Sequence, residues 1–224
     1  FYGQSGTGKT LSAEVIANEL GLDLYKIDLS NIISKYVGET EKNLSKIFSE
    51  AKASNAILFF DEADAIFGKR SKVKDAHDRY ANIETGYLLQ KMDEYTGVVI
   101  LATNLWENMD DAFVRRMHFT IEFPFPKSKQ RYQIWRNIFP GKTPLHKDIN
   151  YDFLAEKIKV AGGNIKNIAL TAAFFASDNG GVIDMKNLIL AIRREYQKMG
   201  KVCIKSDFEQ YYDIIAEKKK ENES

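Results

Sequence analysis

Residues 3–10 have the sequence GQSGTGKT, and this stretch decides the fold. It matches the pattern G-x-x-x-x-G-K-[ST] at every fixed position. Its glycines let the backbone curl so that successive N–H groups point at phosphate oxygens, and the helix that follows adds the positive end of its dipole. We predict a phosphate-binding loop in which Lys9 reaches the β- and γ-phosphates of a nucleotide and the Thr10 hydroxyl ligates Mg²⁺. The alternative, a glycine-rich turn that matches by chance, is disfavoured by the apolar helix that follows and by a second motif.

That second motif is ILFFDE at residues 57–62, an apolar run that ends in two carboxylates. Four apolar residues in succession are typical of a strand buried on both faces, and ligands of open α/β sheets bind at the carboxyl ends of such strands. We predict that Asp61 holds Mg²⁺, directly or through water, and that Glu62 polarises the attacking water as a general base. Asp64 is expected to brace the loop. The alternative is a strand that simply ends in polar residues, and its pairing with the phosphate-binding loop argues against this.

Thr103 and Asn104 end the next apolar run along the chain. Polar residues often end strands, so an asparagine there means little by itself. The run should lie beside the strand that carries Asp61 and Glu62, however, because consecutive strands of such sheets are usually neighbours. The Asn104 amide is therefore expected to orient the attacking water against the γ-phosphate.

Strand-like and helical patterns alternate up to residue 126, which predicts a parallel sheet with helices on both sides. Strands are predicted at 24–28, 57–60, 98–103 and 119–125, and helices at 9–20, 39–53 and 82–93. We assign residues 1–126 to a nucleotide-binding α/β subdomain.

Residues 127–218 show helical periodicity and no convincing strand, which predicts an all-helical subdomain. Its helices are predicted at 129–139, 151–160, 164–177, 184–199 and 206–218. Residues 219–224 are charged and predict a solvated tail.

The composition excludes several classes of protein. The chain of 224 residues has 32 basic and 31 acidic residues, and this balance argues against a nucleic-acid binder or a binder of anionic membranes. The single cysteine, Cys203, excludes a disulfide framework. No apolar run approaches the ~18 residues that a membrane span needs, and no signal peptide is visible. A reducing, cytoplasmic location is expected.

The three motifs in this order, followed by a helical region, resemble the AAA+ ATPases. More narrowly they resemble the AAA clade of remodelling and unfoldase-type ATPases known from bacteria. The resemblance covers essentially the whole chain and implies a five-stranded parallel sheet with a C-terminal helical lid. It also implies ATP and Mg²⁺ as cofactors, ATP hydrolysis, and a homo-oligomeric ring, usually a hexamer. In this family the phosphate-binding loop follows the central strand, of which residues 1–2 are the end, so the chain is expected to be an N-terminally truncated part of a longer protein.

The resemblance also assigns residues. It places ATP against Gly3, Gln4, Ser5, Gly6, Thr7, Gly8, Lys9, Thr10 and Leu11, with Lys166 of the lid near the phosphates. The catalytic set is Lys9, Glu62, Asn104, Arg115 and Arg116. The two arginines match the segment that carries arginine fingers, which reach the nucleotide of the neighbouring subunit. In the commoner pattern a glycine-containing stretch separates them, whereas here they are adjacent, so the sequence leaves open which one is the finger. Two surface arginines at a helix end are the alternative.

Lys35, Tyr36, Val37 and Gly38 resemble the pore loop with which this clade grips its protein substrate. An exposed aromatic residue can grip polypeptide without side-chain selectivity, because it contacts any backbone or apolar surface. The alternative is a tyrosine packed under a loop. The resemblance to a pore loop leads us to expect a polypeptide client. An AAA+ ATPase that acts on DNA and an ATP-dependent assembly switch are the two other functions left open.

Overall fold

The computed structural model describes residues 1–29, 39–67, 76–178 and 180–221. These form two compact units, Phe1–Pro124 and Phe125–Ser224. The elements of the first unit are α1 (Lys9–Leu20), β1 (Leu24–Asp28), α2 (Glu39–Ser54), β2 (Ile57–Asp61), α3 (Asp64–Phe67), α4 (Ala76–Glu94), β3 (Val99–Leu101) and α5 (Asp111–Val114). Across the described residues, no helix combines the length and the apolar character that a bilayer crossing needs.

The first unit contains a parallel sheet in the order β1-β2-β3. The four apolar side chains of β2 are all buried, in alternation on the two faces. Ile57 and Phe59 pack in one core with residues of α1, while Leu58 and Phe60 pack in another with residues of α2 and α4. Helices thus cover both faces of β2, and the predicted α/β class with a parallel sheet is confirmed.

The sheet continues beyond β3 through single bridges instead of full strands. Tyr2 forms a parallel bridge to Thr103 on one side and another to Glu122 on the other. The predicted strand at 119–125 is therefore too long, and its pairing is limited to this bridge. The hydrogen bonds of this bridge run from Tyr2 N to Ile121 O at 3.0 Å and from Phe123 N to Tyr2 O at 2.7 Å, and Pro124 has no N–H with which to extend the pairing. These bridges place the start of the phosphate-binding loop between two neighbouring segments of the sheet.

The second unit is helical, as predicted, around a core that includes Trp135, Leu154, Ile165 and Leu188. Its helices are α6 (Ser128–Asn137), α7 (Tyr151–Lys157), α8 (Gly162–Ser177), α9 (Met185–Lys198), α10 (Lys205–Phe208) and α11 (Tyr212–Glu221).

Two details of the second unit differ from the sequence-based expectation. One helix was expected at 206–218, but Glu209, with a left-handed φ of 46°, starts a 3-10 turn that separates α10 from α11. A helical backbone cannot run through a residue in that conformation. In addition, Leu145 and Ile183 form one parallel bridge in a region where no strand was predicted.

Candidate active site

The phosphate-binding loop has a backbone that its glycines make possible. Gly3, Gly6 and Gly8 have φ values of 141°, 77° and 111°, all in the region that L-residues rarely adopt. Gly8 directly precedes α1, so the loop leads into the N-terminus of a helix of 12 residues. The loop therefore combines glycine-dependent backbone conformations with a following helix, the two features on which the predicted phosphate binding depends.

Gly3 also lies too close to its neighbour to carry a side chain. A Cβ atom on Gly3 would lie 2.2 Å from Phe123 O, which no packing adjustment of a side chain relieves. We expect Gly3→Ala to abolish ATP binding and to lower the unfolding temperature. The matched control is Gly141→Ala in the second unit, where a Cβ meets nothing within 4 Å. Thermal unfolding and ATP titration of the two variants test this, and normal ATP binding by Gly3→Ala would contradict it.

Lys9 is the most constrained side chain of the loop. It is 6% exposed, and its Nζ donates to Gly3 O at 2.7 Å, Gln4 O at 3.1 Å and Asn104 Oδ1 at 2.6 Å. Burial lowers the pKa of Lys9, and the nearby Asp61 and Asp64 carboxylates oppose that shift. The contact with Asn104 joins the start of α1 to the segment that follows β3.

The two carboxylates end β2 in different environments. Asp61 is the last residue of β2, and its Oδ1 accepts a hydrogen bond from Glu62 N at 3.0 Å. Glu62 is exposed and has a φ of 53°, a left-handed conformation that costs roughly 1 kcal/mol or more for a residue with a side chain. The strand thus ends abruptly, with one carboxylate fixed at its tip and the next one accessible to solvent.

Asp64 and Thr103 form a contact that the sequence did not indicate. The Thr103 hydroxyl donates to Asp64 Oδ1 and accepts from Leu105 N at 3.0 Å. The expectation that Asp64 braces its loop agrees with this contact, but the hydroxyl of Thr103 was not given a role. The sequence feature that could have indicated this role is a threonine, instead of another apolar residue, at the end of a buried strand.

The two adjacent arginines differ in their surroundings. Both are exposed, but Arg116 Nη1 pairs with Asp93 Oδ2 at 3.3 Å, whereas no side-chain partner for Arg115 is found among the described residues. The helix that precedes them, α5, packs against α3, which follows the acidic motif, because Phe113 stacks on Phe67 with ring centroids 3.8 Å apart. The two arginines therefore differ in that Arg116 has an ion-pair partner among the described side chains and Arg115 has none.

The other residues predicted to bind ATP, Mg²⁺ or the polypeptide lie outside the contacts described so far. Thr10 is half buried in the first turn of α1, and Leu11 beside it is 63% exposed. Lys166 is exposed on α8, in the second unit, between Asn164 and Asn167, whose amides both donate to the buried Glu195 carboxylate. Lys35, Tyr36, Val37 and Gly38 lie outside the described residues.

The residues present fit a nucleotide and a magnesium ion by their chemistry. A hydroxyl at Thr10 and a carboxylate at Asp61 are oxygen donors of the type that Mg²⁺ prefers. The glycine backbone and the Lys9 ammonium are donors suited to phosphate oxygens. The roles of these residues in binding and catalysis stay predictions.

Comparisons with known proteins identify the family of this chain. Residues 1–126 match the family described as "ATPase family associated with various cellular activities (AAA)". The 26S proteasome subunit RPT4 of Saccharomyces cerevisiae is 33% identical over 221 residues, which cover 88% of this chain and 50% of RPT4. A proteasome-activating nucleotidase of Saccharolobus solfataricus is 31% identical over 210 residues, covering 90% of this chain and 53% of the nucleotidase. A cell division cycle protein 48 homolog of Archaeoglobus fulgidus is 33% identical over 186 residues, covering 78% of this chain and 25% of the homolog.

The chain spans about half the length of the first two relatives and a quarter of the third. The family match covers more than half of this chain and coincides with the unit that contains the phosphate-binding loop. It confirms the predicted enzyme class, an ATP-binding hydrolase. The chain therefore belongs to the AAA family of ATPases.

Proposed function

We propose that this chain binds Mg-ATP, hydrolyses it at interfaces between subunits of a ring, and uses the energy to remodel or unfold polypeptides. The observation that carries the proposal is the 2.6 Å contact between Lys9 Nζ and Asn104 Oδ1. It joins the phosphate-binding loop to the end of β3, and Asp61 and Glu62 end the strand next to β3. The groups needed for binding and for hydrolysis thus lie at one edge of the sheet.

Binding of ATP exchanges one set of oxygens around Lys9 for another. Two carbonyls and the Asn104 amide now accept hydrogen bonds from the buried ammonium. The β- and γ-phosphate oxygens are stronger acceptors, because they are charged, and they take over part of this role. The N–H groups around Gly6 and Gly8 bind the remaining phosphate oxygens.

Hydrolysis requires a water molecule aligned with the γ-phosphate and a base near it. Glu62 accepts a hydrogen bond from the attacking water, and Asn104, released from Lys9 as phosphate binds, orients that water. Thr10 and Asp61 would hold Mg²⁺, which would supply positive charge to offset the negative charge of the phosphates. Arg115 of the adjacent subunit stabilises charge at the γ-phosphate. Its exposure and the absence of a partner among the described side chains support this assignment.

Work on polypeptides is proposed from the resemblance of residues 35–38 to a pore loop and from the relatives. Two of them are named for the proteasome, as a subunit of the 26S particle and as an activating nucleotidase. The hexamer number and the protein client also belong to the proposal.

The pore-loop assignment predicts a separation of two activities. Tyr36→Ala should abolish remodelling while leaving ATP hydrolysis within about threefold of the wild-type rate, because Tyr36 takes no part in the chemistry. Tyr36→Phe, which keeps the aromatic ring, is the matched control and should retain remodelling. The measurement is ATP-dependent unfolding of a fluorescent protein with an unstructured tail, beside the ATPase rate of the full-length protein.

If Tyr36→Ala unfolds the fluorescent protein at the wild-type rate, the assignment of residues 35–38 as a pore loop is contradicted. If the wild-type protein unfolds nothing, ATPase stimulation by single- and double-stranded DNA at two salt concentrations tests the DNA-acting alternative, since phosphate contacts weaken steeply with salt.

A further inference from the structure

Thr103 lies where three segments of the active site meet. Its N–H donates to Phe1 O at 3.0 Å and its carbonyl accepts from Gly3 N at 3.3 Å, so its main chain is bonded to the segment that leads into the phosphate-binding loop. Its hydroxyl donates to Asp64 and accepts from Leu105 N. Only 4% of Thr103 is exposed. Water therefore competes little for these bonds, and the low local dielectric strengthens them.

Asp64 connects this hydroxyl to the catalytic carboxylates. It begins α3, three residues after Asp61, and the chain between them is bonded to the neighbouring segment by Ala63 N, which donates to Ala102 O at 2.9 Å. Asp64 also raises the pKa of Lys9, against the stronger lowering by burial. Asp64 thus has two separable properties, a hydrogen-bond acceptor for Thr103 and a negative charge near Lys9.

Asn104 lies between Thr103 and Leu105, which are joined by a hydrogen bond to the Thr103 hydroxyl. The bond from Leu105 N to Thr103 Oγ1 spans two residues, a local side-chain-to-backbone contact that fixes the turn containing Asn104. The side chain of Asn104 is solvent-accessible and reaches Lys9. A buried contact therefore holds the turn, and an accessible amide projects from it.

We propose that Thr103 and Asp64 are positioning residues, whose hydrogen bond fixes Asn104 relative to Asp61 and Glu62 for the hydrolysis step. The inference rests on the proposed function, in which Asn104 and Glu62 act on the same water. It adds that the alignment depends on one side-chain bond between the loops that follow β2 and β3. A displacement of about 1 Å of a positioned group can slow a reaction roughly 100-fold, so a single such bond has a measurable effect on turnover.

The test compares two substitutions at Thr103 in the full-length protein. Thr103→Val keeps the shape but removes the hydroxyl, and Thr103→Ser keeps the hydroxyl. We expect Thr103→Val to lower kcat for ATP hydrolysis roughly 10- to 100-fold, the effect of losing one hydrogen bond to a charged group. The Kd for a fluorescent ATP analogue should change by less than about threefold, and Thr103→Ser should recover kcat to within about threefold of wild type.

Two substitutions at Asp64 separate the acceptor from the charge. Asp64→Asn keeps an acceptor oxygen for Thr103, whereas Asp64→Ala keeps neither property, so kcat should fall further in the alanine variant. If the two residues act through their shared bond, the double variant Asp64→Ala/Thr103→Val has a kcat no lower than the slower single variant.

Wild-type turnover by Thr103→Val would overturn the inference, as would effects of the two single substitutions that multiply in the double variant. A third contradicting result is a parallel loss of ATP binding, turnover and thermal stability in Thr103→Val that Thr103→Ser does not reverse. Failure of the proposed function is distinguishable. It shows as absent ATP hydrolysis by the assembled wild-type protein or as normal turnover by Glu62→Gln, and neither depends on Thr103.

Discussion

Arg115→Ala is expected to slow ATP turnover by roughly 10³–10⁵-fold, the range found for arginine fingers in other phosphoryl-transfer enzymes. In the proposed function, the guanidinium neutralises charge that develops on the γ-phosphate in the transition state, at a site whose other groups belong to a different subunit. ATP binding should persist, since the phosphate-binding loop is intact. The measurement is the steady-state ATPase rate beside the Kd for a fluorescent ATP analogue.

Arg116→Ala is the matched comparison, because it removes the same side chain one position along. Arg116 is paired with Asp93 of its own chain, and both side chains are more than half exposed. Such exposed pairs contribute roughly 0–1 kcal/mol, so turnover should fall by less than about tenfold. Equal losses in the two variants would mean that both arginines contact the nucleotide, and a loss confined to Arg116→Ala would reverse the assignment.

Glu62→Gln is expected to stop hydrolysis and to preserve ATP binding. Loss of a general base lowers the rate roughly 10²–10⁴-fold, while the amide occupies the same space as the carboxylate. Glu62 is exposed, and its backbone is already held in a left-handed conformation, so the exchange should leave the unfolding temperature unchanged.

The control for Glu62→Gln is the same exchange at Glu156, an exposed residue of α7 in the second unit. That variant should hydrolyse ATP at the wild-type rate. Turnover by Glu62→Gln at a rate close to that of the control would exclude Glu62 as the base.

Most of the fold was predictable because its signals are local. A glycine motif sets the loop before α1, and an unbroken apolar run sets β2, which is buried on both faces. The end of α1 at a left-handed Gly21 was equally visible in the sequence. These features depend on a few neighbouring residues, and their physical consequences do not require knowledge of distant contacts.

The features that were missed depend on contacts between distant segments. The single bridge from residues 119–125 joins them to Tyr2, which lies far away in the sequence. The hydroxyl of Thr103 has a role only because Asp64, far away in the sequence, lies next to it. The difference between Arg115 and Arg116 likewise arises from Asp93 on another helix.

Each proposed active site is shared between two subunits, and one mixing experiment tests this arrangement most directly. Glu62→Gln and Arg115→Ala of the full-length protein are each assayed alone and then mixed, with the specific ATPase activity measured against protein concentration. We predict that activity of the wild type rises with concentration and that the mixture regains activity, because some interfaces then join an intact Glu62 to an intact Arg115. Activity that is independent of concentration where sedimentation shows monomers, with no recovery in mixed rings, would contradict a shared site.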